Sequence, residues 1–394
     1  MNLKKKFAGN WGRLGMKFNL SSLCEYRKGK VSVEGLNKDT YVSTENMLPN
    51  KGGIAPATSL PSTPQTQEYK KGDVLVSNIR PYFKKIWQAK YDGGCSNDVL
   101  VFKTNEKTDK NFLYYVLADD AFFNYSMTTS KGTKMPRGDK AAIMQYEVPN
   151  FPISEQRKIA NILSLLDEKI ELNNQINNNL EQQAQFIFTN EFLMFDSLPE
   201  GWTRGSLLDI ANYLNGLAMQ KFRPTDDEIG YPVLKIKELR QGCCDANSEL
   251  CSPNIKQEYI VDDGDVIFSW SGSLLVDFWC GGICGLNQHL FKVTSDKYDK
   301  WFYYSWTNHH LQKFIAIAAD MATTMGHIKR EELAKSEVYI PTSEEYSRIG
   351  KILSPIYDLI IANRIENKRL ADLRDTLLPK LMSGALDISE VKYE

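Results

Sequence analysis

The chain is an internal duplication, and no other feature limits its possible folds as strongly. Trp11 and Trp202 open the two copies. Three segments recur in the same order: KGDVLVS at 71–77 as DGDVIFS at 263–269, FLYY at 112–115 as WFYY at 301–304, and PISE at 152–155 as PTSE at 341–344. The offset is about 190 residues throughout, which is too long for a solenoid repeat. Each copy is therefore a whole domain followed by a connector.

Each copy divides into a strand-rich part and a long helix. The first part, about 140 residues, contains short apolar runs broken by Gly, Asn, Asp and Pro, a pattern typical of strands and turns. We therefore expect an α+β protein with two similar α/β domains separated by two long helices. The expected segments are a first domain at 1–151, a first helical spacer at 152–197, a second domain at 198–340 and a second spacer at 341–394.

Heptad spacing predicts which face of each helix is apolar. The first helix should begin near Ser154, and about 36 uninterrupted residues would make a rod of roughly 54 Å. Pro355 should kink the second helix, and Pro379 and Gly384 should disturb or end it. The predicted seam consists of Ile159, Ile162, Leu166, Asn173, Ile176 and Leu180 in the first helix and Ile349, Ile352, Ile356, Leu359, Asn363, Leu370, Leu373 and Leu377 in the second.

Asn173 and Asn363 occupy equivalent positions in the two predicted seams. A polar Asn in an apolar seam costs stability and fixes the register of the helices. The matched residues therefore predict that the two helices pack on each other as an intramolecular antiparallel coiled coil, with an approximate two-fold relation between the copies. The alternative is two surface helices, each packed on its own domain.

Composition and charge exclude several classes of protein. The 394 residues carry a formal net charge of -1, which is not the charge of a nonspecific DNA-coating protein. No apolar run reaches the roughly 18 residues of a membrane span, and the basic start at 1–6 is not followed by the apolar core of a secretion signal. The seven cysteines show neither the spacing of a disulfide framework nor that of a zinc site. We expect a cytoplasmic protein without metal, cofactor or membrane contact.

Four sequence motifs occur together with the duplication. They are Gly-Trp at 201–202, Gly-Asp-Val at 72–74 and 264–266, PISEQRKI at 152–159, and a C-terminal stretch at 370–384 that contains LPKL and Ser-Gly. In this order the chain resembles the specificity subunits of type I restriction-modification systems over essentially its whole length. The resemblance implies that each variable domain reads one half of a split, asymmetric double-stranded DNA target. It also implies that the helices act as a ruler and dock two methyltransferase subunits, which the restriction and translocase subunits then join.

The residues expected at DNA lie in turns beside strand ends and carry side chains that can read base edges or contact phosphates. Those of the first copy are Asn78, Arg80, Tyr82, Lys84 and Lys85 in one loop and Lys131, Thr133, Lys134 and Arg137 in another. Those of the second copy are Trp270, Ser271, Ser273, Asn287, Gln288, His289, Thr324, His327 and Lys329, with Arg223 and Arg240 as further candidates. The alternative for each loop is an ordinary solvated turn. The tyrosines Tyr114, Tyr115, Tyr303 and Tyr304 are expected in the core.

Motifs of the enzymes that act with such subunits are missing from the sequence. It contains no Asn-Pro-Pro-aromatic segment for adenine methylation, no Gly-x4-Gly-Lys-[Ser/Thr] loop for a translocase, and no Pro-Asp followed by an acid-x-Lys pair for a nuclease. We therefore expect a subunit without catalytic activity. Two alternatives stay open. One is a duplicated coiled-coil protein that binds something other than DNA, such as a decoy of a restriction complex, and the other is a fused enzyme with an unrecognised active site.

Overall fold

The computed structural model of the chain describes residues 18–320, 328–386 and 388. The chain forms two compact units. Unit 1 comprises Met1–Glu168 together with Ala371–Glu394, and unit 2 comprises Lys169–Leu370. Each unit therefore contains one strand-rich domain and a part of both long helices.

Unit 1 contains short strands and helices that precede the first long helix. The strands are β1 (Phe18–Asn19), β2 (Cys24–Tyr26), β3 (Lys30–Ser32), β4 (Tyr41–Val42), β5 (Gln65–Tyr69), β6 (Val74–Ser77), β7 (Ile86–Gln88), β8 (Gly93–Cys95), β9 (Val99–Thr104) and β10 (Glu147–Val148). The helices are α1 (Lys110–Ala118), α2 (Asp120–Thr128) and α3 (Lys140–Ile143), and α4 (Ile153–Phe192) begins in this unit.

Unit 2 repeats this order. The strands are β11 (Thr203–Ser206), β12 (Asn212–Asn215), β13 (Tyr231–Leu234), β14 (Leu250–Cys251), β15 (Ile260–Val261), β16 (Val266–Ser269), β17 (Leu275–Phe278), β18 (Cys284–Leu286), β19 (Leu290–Thr294) and β20 (Glu337–Ile340). The helices are α5 (Leu207–Ile210), α6 (Ile236–Gln241), α7 (Lys300–His309), α8 (Leu311–Asp320), α9 (Arg330–Ala334) and α10 (Ser343–Met382), whose last turns belong to unit 1.

The two units share a sheet topology, which confirms the predicted α+β duplication. An antiparallel sheet runs in the order β2-β9-β6-β7 in unit 1 and β12-β19-β16-β17 in unit 2. A second sheet is centred on β8 or β18, and this strand pairs parallel with one neighbour and antiparallel with the other in both units. The first and last strands of each domain pair as β1-β10 and β11-β20.

The repeated Gly-Asp motif builds the same turn in both units. Gly72 and Gly264 have φ values of 91° and 85°, which residues with a Cβ atom rarely adopt. The amide of Gly72 donates to the carbonyl of Ala89, directly after β7, at 2.8 Å. The amide of Gly264 donates to the carbonyl of Trp279, directly after β17, at 2.7 Å. Asp73 and Asp265 accept the backbone amide three residues before them, at 2.8 and 2.9 Å. The motif therefore fixes where β6 and β16 begin.

The residue that follows Ser-Glu at the start of each long helix ties that helix to its domain. Gln156 is buried, accepts the amide of Asp109 at 2.9 Å, and donates to the carbonyl of Phe151 at 2.9 Å. Glu345, the equivalent residue of the second copy, accepts the indole N–H of the buried Trp202. The PISE and Gly-Trp motifs thus hold the helices in place on the domains.

The two long helices are both 40 residues long. The first begins within one residue of the predicted start. The second continues through Pro355 and through Pro379 as far as Met382, so the prediction that Pro379 ends or disturbs it is wrong. Gly384, with a φ of 69°, follows the last turn, and its amide donates to the carbonyl of Leu381 at 3.1 Å. This left-handed glycine ends the helix, because only a residue without Cβ takes that conformation at low cost.

The helices pair in antiparallel orientation, and asparagines contribute hydrogen bonds between them. Within unit 2, the side-chain amide of Asn363 donates to Oδ1 of Asn177 at 2.8 Å. The amide of Asn173 donates to Oδ1 of Asn367 at 2.9 Å and to Glu366 at 2.7 Å. Residue numbers rise along α4 as they fall along α10 in these contacts, which confirms the antiparallel coiled coil.

The seam differs in part from the predicted one. Ile159, Asn173, Ile349 and Asn363 are buried, and Ile162, Leu166, Ile176, Leu180, Ile356, Leu370 and Leu377 are partly buried. The prediction is wrong for Ile352, Leu359 and Leu373, whose exposed fractions are 44%, 46% and 46%. In unit 2, Leu353, Tyr357 and Ile360 of α10 are also buried and pack into the core of the domain together with Ile349. The helix packs on its domain as well as on α4, and this second partner selects a different face.

Candidate nucleic-acid interface

The residues predicted at DNA in the first copy come together in one surface, the first cluster, formed by 78–85 and 131–137. The turn at 78–85 follows β6, and the loop at 131–137 follows α2. The amide of Arg80 donates to the carbonyl of Pro136 at 2.8 Å, and the amide of Gly138 donates to the carbonyl of Asn78 at 3.3 Å. Two segments that are distant in sequence therefore form one continuous surface.

Exposure separates the residues of the first cluster into two groups. Lys131, Thr133, Lys134 and Arg137 are exposed, and so is Tyr82, whose ring centroid lies 4.6 Å from that of the exposed Phe83. These side chains are accessible to a ligand from solvent. Asn78 is buried, and its Oδ1 has no hydrogen-bond partner. Its position fits a support for the turn better than a direct reader of bases.

Acidic residues partly neutralise the cations of the first cluster. Lys131 pairs with Asp139 at 2.6 Å, and Arg137 pairs with Asp98 at 3.2 Å. The hydrogen bond to Asp139 raises the pKa of Lys131 above its ordinary value. Exposed ion pairs of this kind contribute little free energy, so a phosphate can replace the carboxylate. Lys84 pairs with Asp120 at 2.7 Å.

Lys85 has a different environment. Its Nζ donates to the carbonyl of Thr44 at 2.7 Å and lies 5.8 Å from the centre of the Phe83 ring. Burial lowers the pKa of Lys85 below its ordinary value. The side chain therefore joins the turn to the neighbouring loop and is less available to a phosphate than the exposed lysines.

The second copy forms an equivalent surface, the second cluster, from 270–273, 287–289 and 328–329. The amide of Ile328 donates to the carbonyl of Trp270 at 3.0 Å. This bond is the counterpart of the one from Gly138 to Asn78, because it joins the same loop to the same strand end. The two clusters are therefore built on one backbone plan.

The side chains of the second cluster are less basic and more closely interconnected. The indole N–H of Trp270 donates to Asn215 at 3.0 Å. The hydroxyl of Ser271 and Nδ1 of His289 are 3.1 Å apart. Asn287 and Ser271 are buried, and Oε1 of Gln288 is buried without a hydrogen-bond partner. Trp270, His289, Ser273 and Lys329 retain exposed or partly exposed surface.

The remaining candidates fall at different places. The guanidinium of Arg240 donates to the hydroxyl of Ser273 at 3.4 Å, which brings Arg240 to the second cluster. Arg223 pairs with Glu249 at 2.9 Å. Thr324 and His327 lie outside the described residues. The four tyrosines lie in the cores or against them, as expected: Tyr115 and Tyr303 buried, Tyr114 and Tyr304 partly buried.

Several residues beside the clusters were not predicted. Asp98 pairs with Arg137, Asn215 binds Trp270, and both Lys51 and Asp120 lie beside Lys84. No sequence motif marks them, because each reaches its cluster from a distant segment of the chain. Together the two surfaces offer cations, hydroxyls, amides and aromatic rings, the side chains that contact phosphates and base edges.

Across 18–320, 328–386 and 388, no group of His, Cys, Asp and Glu is arranged to hold a metal ion. Among the helices of the same residues, none is both long and apolar enough to cross a membrane.

Comparison with known proteins identifies similar chains. The profile of the family described as "Type I restriction modification DNA specificity domain" matches twice, at 15–182 and 199–373. The type I restriction enzyme MjaIX specificity subunit of Methanocaldococcus jannaschii is 24% identical over 305 residues, which cover 71% of this chain and 70% of the relative. The type I restriction enzyme HindI specificity subunit of Haemophilus influenzae is 22% identical over 432 residues, which cover 88% and 94%.

A solved structure has the same fold. The crystal structure of the type I restriction-modification system S subunit from M. genitalium aligns with a TM-score of 0.56 at 16% sequence identity. The alignment covers 93% of this chain and 96% of that chain.

Proposed function

Because the chain belongs to the type I restriction-modification DNA specificity family, we propose that it reads a bipartite, asymmetric DNA target, with one half-site for each cluster. Proteins of this family are specificity subunits, and DNA-sequence recognition is their role. The proposal adds which surfaces read the DNA and how the target is divided. In it, chemistry belongs to partner subunits.

One observation carries the proposal. The same backbone junction occurs in both units, from Gly138 to Asn78 and from Ile328 to Trp270, but different side chains surround it. The first cluster offers Arg, Lys and Tyr, whereas the second offers Trp, Ser and His. Side chains of different hydrogen-bonding chemistry prefer different bases. Two half-sites of different sequence are the expected consequence.

The charge of the molecule fits a reader that shares its DNA contacts with partners. The formal net charge is -1, so phosphate attraction from this chain alone is limited to local groups such as Lys131 and Lys134. Partner subunits would supply further phosphate contacts. Affinity would then come mainly from the complex, and sequence selection from this chain.

The proposed partners are two methyltransferase subunits, which the restriction and translocase subunits then join. Each long helix carries exposed apolar residues at heptad spacing within unit 2: Leu172 and Phe186 on α4, Ile352 and Leu359 on α10. Phe186 is 68% exposed. Large apolar side chains in a row on a helix are typical of a protein interface. We assign these stripes to the methyltransferase subunits.

The competing function is a duplicated coiled-coil protein that binds another protein and not DNA. The exposed stripes would serve such a protein equally well. The exposed cations of the first cluster favour DNA, because a decoy of a restriction complex needs no lysines on the surface proposed to read bases.

The test measures DNA binding by the chain in complex with its cognate methyltransferase over a series of salt concentrations. Lys131→Ala/Lys134→Ala should weaken binding and reduce the salt slope by about 2, since each lost phosphate contact reduces it by about 1. Lys103→Ala/Lys107→Ala removes the same charge at the C-terminal end of β9, whereas the N-terminal end of β9 lies next to Asp98, the partner of Arg137. This control should have little effect. Equal losses in both variants, or no preference of the wild-type complex for any sequence, would contradict the proposal.

A further inference from the structure

Strained backbone is concentrated in the first cluster and in the segment hydrogen-bonded to it. Within the described residues, four residues other than glycine have left-handed φ values: Asn50 at 55°, Lys51 at 62°, Arg80 at 50° and Lys84 at 50°. Side chains with a Cβ rarely take this conformation, and it persists only where the surroundings enforce it. Arg80 and Lys84 delimit the first reading turn, so the strain lies where DNA contacts are proposed.

Two backbone hydrogen bonds join the strained segments to each other. The amide of Asn50 donates to the carbonyl of Phe83 at 2.8 Å, and the amide of Lys51 donates to the carbonyl of Lys84 at 2.9 Å. The segment at 50–51 therefore lies against the reading turn and holds its far end. The near end is held by the bond from Arg80 to Pro136.

The carboxylate of Asp120 forms an ion pair with one lysine from each strained segment. Nζ of Lys84 lies 2.7 Å from Oδ2 of Asp120, and Nζ of Lys51 lies 3.1 Å from Oδ1. The Lys51 side chain is only 14% exposed. Two ammonium groups this close repel each other, and the carboxylate between them offsets that repulsion. Without Asp120, the two segments would carry unbalanced like charges at their point of contact.

We propose that Asp120 and Lys51 are positioning residues that hold the turn at 80–84 in its reading conformation. This inference rests on the proposed function of the first cluster. The two residues would act on base discrimination, because they fix the geometry of Arg80 and Tyr82 without contacting bases themselves. The offset of 189 residues between FLYY and WFYY makes His309 the equivalent of Asp120 in the second copy, and this residue carries no carboxylate. The positioning role proposed for Asp120 therefore concerns the first half-site alone.

The inference predicts opposite changes in specificity and in nonspecific affinity. Asp120→Asn keeps the shape of the side chain but removes the negative charge that Lys51 and Lys84 share and one of the two oxygens that accept from them. The freed lysines can then bind phosphates of any sequence, which strengthens nonspecific binding and steepens the salt dependence. The turn loses its fixed geometry, so discrimination against a changed base pair should fall by about tenfold in one half-site and stay unchanged in the other.

The experiment compares wild-type, Asp120→Asn, Lys51→Met and Glu25→Gln proteins, each in complex with the methyltransferase. Glu25→Gln is the control, since it removes one negative charge from an exposed pair with Lys103, 3.3 Å apart, in the same unit. Dissociation constants are measured for the cognate target and for targets with one changed base pair in either half-site. Lys51→Met should reduce discrimination as Asp120→Asn does, without the gain in nonspecific binding.

The outcomes distinguish a failure of the positioning role from a failure of the proposed function. Loss of discrimination in one half-site, for both Asp120→Asn and Lys51→Met, supports the positioning role, and Asp120→Glu should restore part of it. Equal loss in both half-sites would indicate general destabilisation and overturn the inference, as would unchanged discrimination or an equal effect of Glu25→Gln. If the wild-type complex itself does not discriminate between sequences, the proposed function fails and the inference fails with it.

Discussion

Asn363 donates its side-chain amide to Oδ1 of Asn177 across the paired helices, over 2.8 Å, and both side chains are buried. Asn177 in turn donates to the backbone carbonyl of Ile360 at 3.3 Å. The second contact of the same kind, from Asn173 to Asn367 at 2.9 Å, is its counterpart in the duplicated sequence. A shift of one helix along the other would break both contacts together, so the asparagines define the register.

The asparagine contact predicts a stability effect. Asn363→Ala should lower the free energy of unfolding by about 2 kcal/mol, because it leaves the buried amide oxygen of Asn177 without its donor. Asn178→Ala changes an exposed residue of the same type on α4 and should have an effect within about 0.5 kcal/mol. Urea unfolding of the purified proteins measures both. Equal effects of the two substitutions would show that the buried contact contributes nothing.

The exposed stripe on α4 predicts an effect on assembly without an effect on folding. Leu172→Ser/Phe186→Ser should weaken association with the methyltransferase by at least about tenfold, because interface aromatics contribute strongly to binding. The unfolding midpoint should not fall, since both side chains are half or more exposed. Ile229→Ser is the matched control, because Ile229 is 92% exposed in a loop of the same unit. Retained association of the double variant, measured by calorimetry, would place the methyltransferase elsewhere.

The ruler hypothesis predicts how the DNA target changes with helix length. Insertion of one heptad at matched positions of α4 and α10 preserves the pattern of buried residues and lengthens each helix by about 10 Å. The recognised spacer should grow by about three base pairs, and both half-site sequences should remain as they were. Mapping of methylated adenines in cells that carry the insertion gives the result. Altered half-site sequences with an unchanged spacer would exclude the ruler.

A buried histidine predicts that unit 2 loses stability in mild acid. Burial, with smaller effects of His309 and Lys313, lowers the pKa of His310 to about 4 from its ordinary value of 6.5. Between these two values the unfolded chain binds a proton that the folded chain does not, so the free energy of unfolding falls as the pH is lowered. We expect a loss of about 1 kcal/mol by pH 5, after allowance for partial solvent screening.

The comparison of His310→Gln with the wild type isolates this contribution. The glutamine amide can still donate to the carbonyl of Glu337, which His310 contacts at 2.8 Å, but it does not titrate. Burial also lowers the pKa of His309, so the variant should lose only part of the acid sensitivity. Urea unfolding at pH 7.5 and pH 5 measures the difference. An identical acid response in both proteins would show that His310 is not responsible.

The sequence predicted the organisation of the fold but not the supports of the candidate site. The recurring Gly-Asp turns and the matched asparagines depend on local chemistry, and the structure contains both. Heptad spacing failed at Ile352, because α10 packs on its domain through Leu353 and Tyr357 as well as on α4. The spacing of apolar residues along a helix does not show which of two packing partners each face will contact.

The clusters illustrate the same limit. Basic and polar residues in turns predicted which loops form each surface, since such residues next to strand ends leave a visible pattern. Their exposure depended on tertiary packing, so Asn78 and Asn287 were found buried. Lys51 and Asp120 lie far from the reading turn in sequence, and only the fold brings them to Lys84.

The last turns of α10 complete the hydrophobic core of unit 1, where Leu378 and Leu381 pack with Ile159 and Leu163. On the ribosome, these residues are made only after the whole strand-rich domain of the second copy. The domain synthesised first therefore keeps part of its apolar interior open to water until the last turns of α10 have been translated. At about 5 to 20 residues per second the delay amounts to about 10 to 40 seconds. Premature termination anywhere in the second copy would leave that apolar interior uncovered, which favours aggregation of the nascent product.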